Sequence, residues 1–507
     1  MKFRKLSLKV ILFITIFSSI ASAVAFFLTN LLFFTKRTPN YGCCTHIIIN
    51  HSNILILIIS SIIILAIVYL LSKLKTISPI FVFILAVFCA LFISPFGVIH
   101  DAHSLVTFAH NIANNIQPEQ DTFDYLQNFP YLLGVSFYEQ IVISIFNTDL
   151  SYSLIVLDIF NAVMVTFIYI YIKKIILLLF NNHKTEIIFS VLFIGCAPLL
   201  LRTNHIYGII PMLCFAVVSI YYLLKSNTIL DRSKALIAIS IAETFKPNTL
   251  LFILGIIVFL LYRLIQRFNL KNLIILLLFC VVPFFIASIP AAYYEHKIGI
   301  GFHNAQPKLV NIQMGLTSVP TDKEGILKND TVMSSGWFSG ATALDENSIV
   351  LHSNSEIISN NTKLIIADTE NYINNPSVAL KFFAKKYISQ WGSNDYSVFS
   401  QYFGYDTIIM SKFARSVVDG AIYNGLQIYL QGYKLLIGIF SLYSLAILAK
   451  SKKITVFLIP FIIAIAAGFY EISEGRDEYV MPFFALMLPY AAYGMKIFFK
   501  KVGDYIK

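Results

Sequence analysis

The sequence predicts an all-α polytopic membrane protein with about 12 transmembrane helices, each needing about 20 mostly apolar residues. Composition is the first reason. Hydrophobic residues make up 57% of the 507 and charged residues 13%, against roughly 25% charged in a soluble domain. The second reason is continuity. Runs such as Ile54 to Leu71 are apolar throughout, which argues against the alternating pattern of a membrane barrel.

Spans are expected near Val10–Phe34, Ile54–Leu71, Pro79–Ile99, Ser153–Ile172 and Ile187–Leu201, then one after Asn204. Others are expected near Ala235–Phe245, after Asn248, and near Leu273–Ile289, Ile428–Leu448, Val456–Tyr470 and Tyr479–Phe499. The first run follows Lys2, Arg4, Lys5 and Lys9. Its core exceeds the roughly 7–15 residues of a signal-peptide core, so it reads as a retained helix.

Cations set the orientation, because cytoplasmic connections collect Lys and Arg. With the basic N-terminus inside, the inner connections carry Lys73 and Lys75; Lys173, Lys174 and Lys184; Lys225, Arg232 and Lys234; Arg263, Arg267 and Lys271; Lys450, Lys452 and Lys453; and Lys500 and Lys501. Both termini are then cytoplasmic in a multi-pass protein of the cell membrane. The formal charge of +11 is explained by those connections. No basic tract interleaved with aromatics points to nucleic acid.

Four regions follow. Residues 1–78 hold two N-terminal helices. Residues 79–290 form a module whose first outer loop is 101–150. Residues 291–425 are a long, Asn- and Ser-rich outer segment, and residues 426–507 are C-terminal helices. The halves show no inverted repeat, which argues against a two-fold transporter. Cys89, Cys196, Cys214 and Cys280 lie in apolar runs, and Cys43 and Cys44 are adjacent in a loop. No metal-ligand spacing is present.

Asp101 is the residue most in need of explanation. It follows His100 where the third apolar run ends, at a depth where a carboxylate is costly. Leu105, Phe108, Ala109, Ile112 and Ile116 then recur at helical spacing. They predict an interfacial helix, followed by a second one through Pro130 to Phe146. Asp101 can also serve as a helix cap. His103 and His110 fall on one helical face, as a solvated pair or as ligands of a divalent cation. Arg202, His205, Lys246, Arg476 and Tyr479 fall at outer ends of later spans. The cations there can bind phosphate, snorkel to the interface, or pair with Glu474 or Asp477.

The order of these features resembles the N-terminal module of GT-C glycosyltransferases, family 39-like (protein-mannosyltransferase-like). A helix with an Asp just beyond it precedes interfacial helices, Phe129-Pro130-Tyr131-Leu132, and a helix ending in Lys173-Lys174. Ala197 to Tyr207, Glu243-Thr244-Phe245-Lys246-Pro247-Asn248 and Arg476-Asp477-Glu478-Tyr479 through Pro482 extend it. Many relatives carry Asp-Glu in the first loop, whereas Asp101 stands between His100 and Ala102.

The resemblance implies a polyprenyl-phosphate sugar donor, Asp101 as general base and the cationic residues as donor-binding groups. His100, His103, His205 and Tyr479 would line the same site. A divalent cation assists some relatives; no other cofactor is implied. The Ile-, Lys-, Asn- and Phe-rich composition suggests an AT-rich, bacterial genome. The acceptor would then be a cell-envelope glycan, a lipid-linked glycan or a protein, with membrane lipid around the enzyme. The rival readings are a polysaccharide polymerase or ligase, leaning on His352 or Arg415, and a lipid-linked glycan flippase or transporter. Trp337 and Trp391 are expected in the headgroup belt, and Pro376 to Trp391 as a helix on the membrane.

Overall fold

The computed structural model describes residues 2–37, 46–93, 100–146, 149–225, 228–299, 301–302, 305–317, 331–333, 336–337, 347–399, 411–418 and 420–506. Cys43 and Cys44 lie outside the described residues, as do Phe96 to Ile99 and the His100 side chain.

The chain is a helical membrane protein. Its helices run α1 (Lys2–Leu32), α2 (Ile54–Leu71), α3 (Pro79–Phe88), α4 (His100–Ala113), α5 (Gln120–Asn128), α6 (Leu133–Phe146) and α7 (Leu150–Phe180). Next come α8 (His183–Gly195), α9 (Ala197–Leu201), α10 (Ile209–Lys225), α11 (Ile229–Phe245), α12 (Thr249–Gln266), α13 (Leu270–Ala287) and α14 (Ile289–Ile298). The 291–425 segment contributes α15 (Leu309–Leu316), α16 (Asn354–Asn374), α17 (Pro376–Trp391) and α18 (Lys412–Val418). The chain closes with α19 (Ala421–Leu448), α20 (Leu458–Ile472), α21 (Asp477–Ala485) and α22 (Leu488–Ile506).

Helix α2 shows why a bilayer is the solvent. It buries Leu57, Ser61, Ile64 and Val68, a stripe at i, i+4, i+7 and i+11. The rest of its surface leaves Leu55, Ile62 and Leu70 at least 60% exposed. A soluble protein rarely exposes so much contiguous apolar surface. Among the described residues seven helices are long and apolar enough to cross a membrane, or up to ten if each of three bent pairs is one span. One of those pairs, α5 with the chain from Pro130 to Phe146, is bent by 98°. Its second arm occupies the place expected for the second interfacial helix, and its first arm is a helix that the sequence reading did not expect.

Several boundaries move. Helix α3 passes into a π-helical turn at Cys89–Ile93. Helix α11 begins at Ile229 rather than Ala235, because the Thr228 hydroxyl caps it by accepting from the Asp231 amide at 3.2 Å. The run expected to end at Ile289 continues as α14 to Ile298. The 36–52 connection is framed by β1 (Phe33–Arg37) and β2 (His46–His51), and β3 (Thr331–Met333) completes an antiparallel sheet in the order β1-β2-β3.

Loops assigned to one side by their cations do meet. Lys184 donates to the Ser72 carbonyl, and Arg232 Nη1 donates to Asn272 Oδ1 at 3.0 Å. At the opposite end the 291–425 segment is fastened to the bundle. Thr35 N donates to Gly392 O at 3.2 Å, and residues 391–399 are buried throughout. This corrects two expectations. Trp391 is 1% exposed and packs edge-on against Phe26, while Trp337 is buried and donates Nε1–H to Ser389 Oγ at 2.8 Å. Neither reaches a headgroup belt, and α17 turns Phe382, Lys386 and Gln390 into protein. The α4 stripe behaves likewise. Leu105, Phe108, Ala109 and Ile112 are buried, and only Ile116, beyond the helix end, is exposed.

Candidate functional site

Four chain breaks converge at the end of the bundle where the 291–425 segment docks. Asp101 lies in the first turn of α4. Arg202 to Gly208 form the turn between α9 and α10. Lys246 caps α11, and Glu474 to Glu478 join α20 to α21.

Local chemistry sets each position. Lys246 precedes Pro247, whose ring disfavours helical geometry for its neighbour. The helix stops there, with Lys246 extended at φ −155°, ψ 133°. Gly208 sits at φ +78°, where a Cβ would lie 2.8 Å from Val135 Cγ2 and 2.9 Å from Phe245 O. Only glycine suits that turn, so the turn carrying His205 and Tyr207 packs tightly against α6 and the end of α11. Asp477 and Glu478 occupy the first turn of α21, where carboxylates are favoured.

Glu478 organises the cations. Its carboxylate takes a hydrogen-bonded ion pair from Arg202 Nη2 and another from Arg476 Nη1 at 3.1 Å, with His205 Nε2 at 4.0 Å. Arg202 is 1% exposed and also donates to Tyr396 O at 3.4 Å. The Tyr207 hydroxyl donates to Asp101 Oδ2 at 3.0 Å, and Lys246 Nζ stands 3.0 Å from the centre of the Tyr207 ring. Tyr479 donates to Glu474 Oε1 at 3.3 Å. Tyr125 and Tyr131 border the same carboxylates, and Tyr131 is 38% exposed.

Burial tunes the titrating groups. It pushes Lys246 down to about 7, against the pull of Glu478 and Asp101. It pushes Glu474 up to about 7, opposed by Arg476 and the Tyr479 hydrogen bond. Burial also holds His205 well below its ordinary value, helped by Arg202, so its imidazole is neutral at pH 7. Within this cluster three buried polar atoms have no hydrogen-bond partner among the described residues: Arg202 Nε, His205 Nε2 and Glu474 Oε2. Orphaned donors and acceptors of this kind are rare in interiors.

Six of the residues singled out in the sequence thus share one cluster: Asp101, Arg202, His205, Lys246, Arg476 and Tyr479. His103 is exposed on α4, and His100 begins that helix. Sequence reasoning did not give Glu478 its role as the common partner of both arginines. It also did not single out Tyr207, Tyr125 or Tyr131. The available signal was the run Glu474-Gly475-Arg476-Asp477-Glu478-Tyr479, dense in charge between two apolar helices. Among the described residues no group of three or more His, Cys, Asp or Glu is gathered as metal ligands. Glu478 is taken up by two guanidinium groups, and Asp101 accepts from the Tyr207 hydroxyl.

The fold and cluster define a polytopic helical membrane protein with a buried, ion-paired polar site at one end of its bundle. Its kinship is not given by comparison: no family model, no curated protein and no solved structure matches the chain.

Proposed function

We propose that the chain is an integral-membrane glycosyltransferase of GT-C type. It moves a sugar from a polyprenyl-phosphate donor to a cell-envelope acceptor at the extracytoplasmic face. One observation carries the reading: a half-buried carboxylate, Asp101, lies within the electrostatic reach of two cations, Lys246 and Arg476, and accepts from Tyr207, each drawn from a different connection. All four connections are those that the twelve-span topology puts outside.

In this reading an acceptor hydroxyl attacks the anomeric carbon. A new glycosidic bond forms, and the bond from that carbon to the lipid phosphate breaks. The electron pair leaves on the phosphate, and the hydroxyl proton passes to Asp101 as general base. Lys246 neutralises the departing phosphate, with Arg476 beside it. Arg202 is too buried to leave Glu478, so it holds the carboxylate in place. The apolar faces of the spans accommodate the prenyl tail.

The polymerase or ligase alternative rests on His352 and Arg415, both of which lie at exposed positions. Transfer from a radiolabelled polyprenyl-phosphate sugar pool in membranes separates the two. Asp101→Asn at equal protein level is expected to lower transfer by about 10²–10⁴-fold, the usual worth of general-base catalysis. Unchanged transfer would remove Asp101 from the chemistry and return attention to the late outer segment.

A further inference from the structure

Asp101 and Lys246 pose a problem that the proposed function leaves open. A carboxylate and an ammonium within electrostatic reach, both partly or wholly withdrawn from water, attract each other strongly. Joined in a salt bridge, each would lose what catalysis needs: the carboxylate its basicity, the ammonium its donors. They are not joined here. The ammonium lies over the face of the Tyr207 ring, and the carboxylate accepts from the hydroxyl at the edge of that same ring.

We propose that Tyr207 is a positioning residue that holds the base and the phosphate-binding cation apart by giving each a separate partner on one rigid ring. The inference rests on the glycosyltransferase reading for its consequence, but not for its geometry. Three observations support it. The ring is 8% exposed and cannot swing into solvent. Gly208, fixed at φ +78° against Phe245 O, ties the turn to the residue just before Lys246. The His205 ring stands edge-on to the Tyr207 ring at 5.7 Å and 66°, fixing its remaining side. A ring face attracts a cation without consuming its N–H donors. Lys246 therefore keeps donors for an incoming phosphate, while Asp101 Oδ1 stays open to the acceptor hydroxyl.

Two substitutions separate the roles. Tyr207→Phe keeps the face and removes the hydroxyl. It is expected to bind undecaprenyl phosphate within about twofold of wild type while kcat falls about tenfold or more, because only the base loses its orientation. Tyr207→Leu removes both partners. It is expected to lose at least about tenfold in affinity for undecaprenyl phosphate as well as transfer, because Lys246 collapses onto Asp101.

A measurement without substrate tests the same geometry. Thermal midpoints in detergent for Asp101→Asn, Lys246→Met and the double variant form a cycle. With Tyr207 present the coupling between the two residues is expected to be small; in the Tyr207→Leu background it should grow by several degrees. Coupling no larger without Tyr207 than with it overturns the proposal whatever the enzyme's substrate. The normal switch in coupling, with no binding of undecaprenyl phosphate by wild type, would uphold the spacer and sink the donor assignment alone. Wild-type kcat in Tyr207→Phe overturns the catalytic part of the proposal.

Discussion

The protein buries lysines at two kinds of place, and their surroundings differ in kind. Lys386 points all three donors at backbone, and Lys434 points two, with its ammonium also 4.8 Å from the centre of the Tyr396 ring. Lys386 Nζ donates to Gly315 O at 2.6 Å, Ser473 O at 2.8 Å and Glu471 O at 2.9 Å, closing the C-terminal end of α20. Lys434 Nζ donates to Trp391 O at 2.8 Å and Ser393 O at 2.5 Å, closing the end of α17. Helix C-termini carry orphan carbonyls and partial negative charge, so a buried ammonium there is well satisfied. Lys246 is as deeply buried but rests on a ring face. A cation saturated by carbonyls is a fastening; one held by a π-face keeps capacity for a ligand.

The largest effect expected from breaking this contrast falls on the fastening. Lys434→Met strands the Trp391 and Ser393 carbonyls and removes a cation from beside Asp477 and Asp395. Unpairing buried polar and charged groups costs about 3–5 kcal/mol. The Ser393 and Ser397 hydroxyls that donate to Asp477 belong to the same loop, so the whole stretch 391–399 should loosen. The expected result is a thermal midpoint in detergent lower by several degrees, with proteolysis near residue 395 made easier. An unchanged midpoint would show that Lys434 is no fastening and dissolve the contrast.

Lys246→Met reverses the pattern with a somewhat smaller effect. Lys246 forms no salt bridge among the described residues, so replacing it removes the cost of a desolvated ammonium without stranding a bonded carboxylate, and the midpoint should hold or rise. Sugar transfer should fall about 10²-fold, near 2.7 kcal/mol of transition-state stabilisation, as for loss of one charge-stabilising donor. A midpoint that falls as far as that of Lys434→Met would reclassify Lys246 as structural.

The same contrast shows what was legible in the chain. Asp101, Arg202, Lys246 and Arg476 were found because each interrupts or ends an apolar run, and a charge at that depth is costly. The helices are legible for the complementary reason: uninterrupted runs such as Ile54 to Leu71 leave a membrane span as the simplest structure. What was not legible depends on partners far away in sequence. Lys434 stands in a mostly apolar run with no sign in the sequence of a partner, yet it is wholly buried, because residues 391–399 fold down onto the bundle. That polar stretch, Ser393-Asn394-Asp395-Tyr396-Ser397, has the composition of a solvated loop. Only the Lys434 ammonium and Asp477 supply the partners that allow its burial. Trp391 and Trp337 were misplaced for the same reason. Glu478 was read as part of a motif, and its bonding to two arginines 276 and 2 residues away cannot be seen in a linear pattern.

The smallest predicted effect sharpens the contrast through pH. Lys246 titrates at about 7 in the free protein because burial disfavours its charged form. A phosphate binds the protonated form, so occupancy must raise that value and binding must take up a proton. By linkage, affinity for undecaprenyl phosphate is level below pH 7 and falls as pH rises through 7, by up to about tenfold per unit until the value of the occupied site is reached. Glu474, pushed up to about 7, acts in the same direction, since its ionisation adds negative charge to the site above that pH. The lipid phosphate's own second ionisation, near pH 6, lies below this window. Lys246→Arg, charged throughout, should flatten most of the slope between pH 7 and 9, and Glu474→Gln the remainder. Dissociation constants measured across pH 6 to 9 for the three proteins decide it. A wild-type profile that is flat, or that rises with pH, would mean that Lys246 keeps its proton in the free state. The distinction between the lysine on the ring and the lysines on carbonyls would then be one of geometry alone.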